Sequence, residues 1–163
     1  MKNELIKKIN DKSAVVGIIG LGYVGLPLVL RFGEVGFEVV EFDVDPSKIA
    51  QLNAGQSYIG HIEGQRIQEL KDRGRFEATT DFSRLRALDC IIICVPTPLT
   101  PKREPDLQYI ETTAEAIGTT LRAGQLVVLE STTYPGTTEE LVLPLVTASG
   151  LAVGSEIFVA YCP

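Results

Sequence analysis

Apolar positions along this chain fall into two kinds of run, and the two alternate. Ala14-Val15-Val16-Gly17-Ile18-Ile19, Phe37 to Phe42, Asp89-Cys90-Ile91-Ile92-Ile93-Cys94-Val95 and Leu126 to Leu129 are short and almost continuously apolar. Such runs, bounded by turn residues, read as strands buried on both faces of a parallel sheet. Phe76 to Thr79 and Ile157 to Ala160 are further short strands. Between them lie helical stretches: Leu26 to Phe32, ending near Gly36; Pro46 to Ala54, stopped by Gly55; Glu63 to Arg73, closed by Gly74; Leu107 to Leu121; and Thr137 to Ala148. Asp45 and Asp106 stand where N-caps belong, with Pro46 at a first helical position, and Asp81 caps a helical turn. A loop, Gln56 to Ile62, joins the second and third helices, and residues 4 to 10 form a short leading helix. The alternation predicts a parallel sheet with helices on both faces and right-handed crossovers.

The first turn of that pattern is Gly20-Leu21-Gly22-Tyr23-Val24-Gly25. Strand, glycines, helix, strand and a terminal acid at about twenty residues' spacing form a dinucleotide-binding βαβ unit. Gly20 allows the tight turn, Gly22 lets the backbone approach a pyrophosphate, and Gly25 lets helix and strand pack closely. The amides around Tyr23 and Val24 open the helix, where its dipole favours a phosphate. Pro27 is tolerated in a first turn, where its missing N–H had no partner. The fold class predicted is therefore α/β, a doubly wound parallel sheet of the Rossmann type in strand order 3-2-1-4-5-6, with the cofactor across the carboxyl ends.

Asp43 ends the second strand. A carboxylate there accepts hydrogen bonds from the adenosine ribose and repels a 2′-phosphate, and Val44 and Asp45 offer no arginine for one, so NAD is expected over NADP. Glu41 is the rival acid, but alternation sets it back inside the strand. Lys48 either lies along the adenosine ribose or is a solvated surface lysine.

Length and composition narrow the function further. The 163 residues form one domain, and a net charge of −6 argues against nucleic acid or an anionic membrane as partner. No apolar run approaches a membrane span, and the start Met1-Lys2-Asn3-Glu4 is no signal peptide, so a cytoplasmic protein is expected. Cys90, Cys94 and Cys162 make neither a C-x-x-C pair nor an even disulfide set and read as reduced thiols. One histidine, His61, without clustered ligands gives no metal site. His61 reads as a surface loop residue, with a reach towards substrate or a partner subunit as the alternative.

Two more loops leave the carboxyl ends of the sheet: Val95-Pro96-Thr97-Pro98, and Glu130-Ser131-Thr132-Thr133-Tyr134-Pro135-Gly136-Thr137. They read as rigid polar rims around the nicotinamide half. The alternative makes Thr97 a turn residue and Ser131 to Thr133 helix caps.

Gly-Leu-Gly-Tyr-Val-Gly-Leu-Pro, Val-Pro-Thr-Pro and Glu-Ser-Thr-Thr-Tyr-Pro-Gly-Thr together resemble the nucleotide-sugar dehydrogenases, the UDP-glucose and GDP-mannose dehydrogenase family, from about Ala14 to Pro163. The leading Lys-Ile-x-x-Lys stretch, Ser57-Tyr58-Ile59 and Glu130 before Ser131-Thr132 are more similar to the branch that oxidises UDP-N-acetylhexosamines. The resemblance implies oxidation of a UDP-sugar C6 hydroxyl to a carboxylate, by two hydride transfers to two NAD, through a thiohemiacetal and a thioester on a cysteine. It implies cofactor contacts from Gly20, Gly22, Tyr23, Val24, Gly25, Asp43, Lys48, Val95, Pro96, Thr97, Ser131 and Thr132. Thr132 would also order the water near hydride transfer.

The family continues past Tyr161-Cys162-Pro163 with a catalytic glutamate, lysine, asparagine, cysteine and aspartate, a linking helix and a sugar-binding domain. The expectation is a leading helix over 1–13 and a truncated NAD-binding domain over 14–163. Alone it would be inactive, as part of an enzyme that is a homo-oligomer at full length. UDP-N-acetylglucosamine is the expected substrate, with UDP-glucose and UDP-N-acetylmannosamine as alternatives. A freestanding NAD-sensing module is the second class of reading, and a Rossmann-like methyltransferase the third.

Overall fold

The computed structural model describes residues 1–148 and 150–162; Pro163, the last residue of the expected domain, lies outside them. Six parallel strands form one sheet in the order β3-β2-β1-β4-β5-β6: β1 Val15–Ile19, β2 Glu38–Phe42, β3 Phe76–Thr79, β4 Cys90–Ile93, β5 Leu126–Leu129 and β6 Phe158–Tyr161. The predicted order is the observed one. The switch point lies between β1 and β4, whose chains depart to opposite sides.

Helices cover both faces, because each strand presents apolar side chains alternately to either side. Helices α1 Lys2–Asn10, α2 Gly25–Val35, α3 Pro46–Asn53 and α4 Gly64–Asp72 supply Leu5, Leu26, Leu30, Leu52 and Ile67 to a core that also holds Val16, Ile18 and Ile92. A 3-10 turn, Phe82–Ala87, and α5 Gln108–Thr120 supply Leu85, Ile110 and Ile117 to the other face, over Phe42, Ile91 and Leu129.

The caps act as their sequence positions predict. Asp45 Oδ1 accepts from the Ser47 amide at 2.8 Å, and Asp81 Oδ1 from the Ser83 amide at 3.0 Å. Asp106 accepts from the Gln108 amide at 3.0 Å, although α5 starts one residue later than expected. The stretch expected as one helix from Thr137 to Ala148 is divided into a π-helical turn, Thr138–Val142, and α6, Leu143–Thr147. Pro144 explains the division: it has no N–H for the Glu140 carbonyl, and its ring needs the wider turn before it.

At the amino ends of the strands, Asp89 holds the leading helix to the sheet. Its Oδ1 accepts from Lys8 Nζ at 2.9 Å and Arg122 Nη2 at 3.2 Å, and its Oδ2 from the Val15 amide at 3.1 Å. Burial pushes this carboxyl up, but those three donors outweigh burial and hold it below the usual aspartate range.

Candidate cofactor site

The glycine loop is fixed by backbone geometry. Gly20 has φ +106°, and a Cβ there would lie 2.7 Å from the Cys94 carbonyl oxygen. A Cβ on Gly25 would lie 1.9 Å from the Gly20 carbonyl oxygen, so only glycine lets α2 start against the end of β1. Gly22 differs, since its Cβ would meet nothing within 4 Å. The space beside it is open, as a backbone that a pyrophosphate approaches requires.

Asp43 connects three segments at this end of the sheet. Its Oδ2 accepts from the buried Leu21 amide at 3.1 Å and from Lys48 Nζ at 3.4 Å, and its Oδ1 from the Asp45 amide at 2.8 Å. The carboxylate thus sits where the second strand, the glycine loop and α3 converge, only 9% exposed. Lys48 is partly exposed, pairs with Asp43 and lies 5.9 Å from the centre of the Tyr58 ring. Lys48 is thus an ion-paired lysine and not a freely solvated one.

Sequence pattern gives Tyr58 no site role, yet the structure sets it against the glycine loop. Its hydroxyl donates to the Leu21 carbonyl at 3.1 Å, bracing the glycine loop from behind, and burial together with the nearby Glu41, Asp43 and Asp45 pushes its phenol up. A lone tyrosine in a polar loop carries no spacing that announces such a brace. Tyr23 is 80% exposed and stacks on His61, with ring centres 6.3 Å apart, so the loop bearing His61 lies over the fingerprint. Val24 is exposed beside them.

On the other side of the switch point the two rim loops are tied together. Thr97 Oγ1 donates to the Thr132 carbonyl at 2.9 Å, and Ser131 Oγ donates to the Val95 carbonyl at 3.0 Å. Both bonds cross more than thirty residues of sequence, so the Thr97 and Ser131 hydroxyls join the two loops and do not act as local turn and cap groups. Ser131 is buried as a brace, whereas Pro96 and Thr132 stand exposed on the rim and Val95 is half-buried. A cleft of about 450 Å³ opens next to them, lined by Thr133, Tyr134, Pro135, Glu139 and Tyr161 among others. Burial raises the Glu130 carboxyl at the base of the loop.

The two buried cysteines do not offer a nucleophile. Burial, with Asp89 adding, pushes the Cys90 thiol up to about 11; burial, with Glu130, Glu41 and Cys162 adding, pushes Cys94 up to about 12. Among the described residues no cluster of histidine, cysteine or acidic groups can hold a metal ion, and no helix is long and apolar enough to cross a membrane.

A six-stranded parallel sheet in this order, with a glycine fingerprint at its switch point and a buried carboxylate closing the second strand, defines a dinucleotide-binding domain of the Rossmann class. Residues 14–163 match the UDP-glucose/GDP-mannose dehydrogenase family, NAD binding domain, and the chain belongs to that family. It is 37% identical over 153 residues to UDP-N-acetyl-D-glucosamine 6-dehydrogenase of Pseudomonas aeruginosa, covering 93% of this chain and 35% of that protein. It is 35% identical over 149 residues to UDP-N-acetyl-D-mannosamine dehydrogenase of Pyrococcus horikoshii, covering 91% and 35%. The structure of a ternary complex of GDP-mannose dehydrogenase from Pseudomonas aeruginosa superposes with a TM-score of 0.84 at 36% identity, over 88% of this chain and 34% of that one. The chain spans about a third of the length of these relatives.

Proposed function

We propose that this chain supplies the NAD-binding half of a UDP-sugar 6-dehydrogenase whose substrate is UDP-N-acetylglucosamine, oxidised at C6 to the uronic acid with two NAD. The observation that carries the cofactor half is the Asp43 carboxylate, held at the end of β2 by the Leu21 amide and Lys48. The substrate half is supported by the 37% and 38% identity to UDP-N-acetyl-D-glucosamine 6-dehydrogenases of Pseudomonas aeruginosa and Salmonella typhi.

NAD, when bound, supplies the hydride acceptor. The residues of this chain do the rest of the work assigned to it. Asp43 accepts hydrogen bonds from the adenosine ribose hydroxyls, and its charge opposes a 2′-phosphate. Lys48, already against that carboxylate, keeps its orientation fixed. The amides that open α2 face the pyrophosphate, with Gly20, Gly22 and Gly25 keeping the approach free of Cβ atoms and Tyr23 and Val24 forming its outer wall. Val95, Pro96, Thr97 and Ser131 hold the loop that faces the nicotinamide, and the exposed Thr132 hydroxyl orders the water near hydride transfer.

Calorimetric titration with NAD⁺ and NADP⁺ tests the cofactor half: NAD⁺ alone binds, and Asp43→Asn narrows the preference. Equal affinity for both cofactors overturns the role of Asp43. The chain by itself produces no NADH from UDP-N-acetylglucosamine, and measurable turnover overturns the assignment of the chemistry to residues other than these.

A further inference from the structure

Among the described residues, the buried side chain left without a hydrogen-bond partner is that of Glu41. Its side chain has no exposure, and neither carboxyl oxygen has a hydrogen-bond partner among the described residues. Every other buried polar side chain at this end of the sheet is paired: Asp43 with two amides and a lysine, Ser131 with a carbonyl. A buried carboxyl without partners is costly in its charged form, so its presence calls for a reason.

Position supplies one. Glu41 lies between Ile18 of β1 and Ala78 of β3, two residues before Asp43, on the face that carries Val39 and is covered by α2, α3 and α4. The titratable and charged groups that act on it are Asp43 from its own strand's end, Lys48 from α3, Tyr58 from the following loop and Cys94 from the end of β4. Lys48 is the cation of this set, and it is engaged by Asp43 at 3.4 Å. The phenol of Tyr58 and the thiol of Cys94 are both pushed upward, so both stay neutral and add no negative charge beside Glu41.

We propose that Glu41 is a proton-linked positioning residue: NAD binds to the form of the protein in which Glu41 is neutral, and release of that proton weakens binding. The proposal rests on the reading of Asp43 as the ribose ligand. With Glu41 neutral, Asp43 keeps Lys48 to itself. When Glu41 gives its proton to solvent, a second negative charge appears in the same poorly screened wall. It competes for Lys48 and opposes the negatively charged pyrophosphate above. Coupling is reciprocal, so bound NAD tightens the hold on the proton. Where Glu41 of the free protein is partly ionised, binding takes up from the buffer the fraction of a proton that its carboxylate lacks. Burial and the Asp43 charge raise Glu41 well above the glutamate range, Lys48 opposing, which moves this titration away from acidic pH.

The test is calorimetric titration of NAD⁺ into the chain from mildly acidic to alkaline pH, in pairs of buffers with different ionisation enthalpies. Wild type is expected to bind about fivefold or more weakly once Glu41 ionises, with proton uptake in the transition. Glu41→Gln is expected to bind with flat affinity across that range and without uptake, a result that a purely structural role does not produce. A pH profile and proton uptake identical in Glu41→Gln and wild type overturn the proposal. Infrared spectra of the unmodified protein carrying ¹³C-glutamate provide the same decision without a substitution: a protonated-carboxyl band must fade in step with NAD affinity, and its absence at neutral pH overturns the proposal. Asp43→Asn separates the two readings. Weakened NAD binding at every pH supports the ribose assignment, whereas unchanged binding overturns that assignment whatever the Glu41 profile shows.

Discussion

The carboxylate of Asp43 accepts the amide proton of Leu21, 22 residues earlier, at 3.1 Å. The acid thought of as a ribose ligand is therefore also a structural tie between β2 and the glycine loop. Asp43→Asn keeps an oxygen for the Leu21 amide but loses its charge. A charge-assisted hydrogen bond contributes about 1.5–3 kcal/mol, so NAD⁺ affinity should fall by roughly 10- to 100-fold; the melting temperature should fall too, because the asparagine NH2 then faces the Asp45 amide from which Oδ1 accepts. Calorimetry beside thermal unfolding checks both halves.

The glycines of the fingerprint should separate by experiment. Gly25→Ala places a methyl 1.9 Å from the Gly20 carbonyl oxygen, and overpacking of this kind costs about 1–3 kcal/mol, read by urea unfolding. Gly22→Ala meets no atom of the protein, so stability stays near wild type while NAD⁺ binding is lost.

Thr97→Val removes the donor to the Thr132 carbonyl and should lower stability by about 1 kcal/mol, whereas Thr97→Ser should retain it. Urea unfolding of the two variants in parallel decides whether the cross-loop bond or the threonine methyl matters.

The pH dependence of stability should carry two opposite signatures. Asp89 is held below its unfolded value, so its stabilisation is present above that unfolded value and disappears as pH falls through the folded one. Asp89→Asn should flatten the acid limb of the stability curve. Glu41 is raised, so its contribution is present below the unfolded value and is lost as pH rises towards the folded one. Glu41→Met should therefore unfold at a higher temperature than wild type at neutral pH, with the gap closing in acid.

Much of this fold was legible because its signals are local. The strand runs, the aspartate caps at 45, 81 and 106, and the glycine spacing each depend on residues within a turn or two of one another. What escaped depends on distant partners. The rim loops of Ser131 and Thr97 are legible, but their braces form only once the ends of β4 and β5 lie side by side, and Tyr58 gains its role only when its loop folds back under Leu21. Alternation correctly set Glu41 inside the strand, but only the packed sheet reveals a carboxyl with no partner there. Pro144, visible in the sequence, divides a helix that apolar spacing alone made continuous.

The burial of Cys90 and Cys94 leaves Cys162 as the exposed thiol of the chain. A maleimide dye added at neutral pH should attach at that one position, just past β6 and next to Tyr161, which lines the cleft beside the Thr132 loop. This chain thus carries its own handle for an optical probe beside the cleft next to the Thr132 loop, with no cysteine engineered in or out of it.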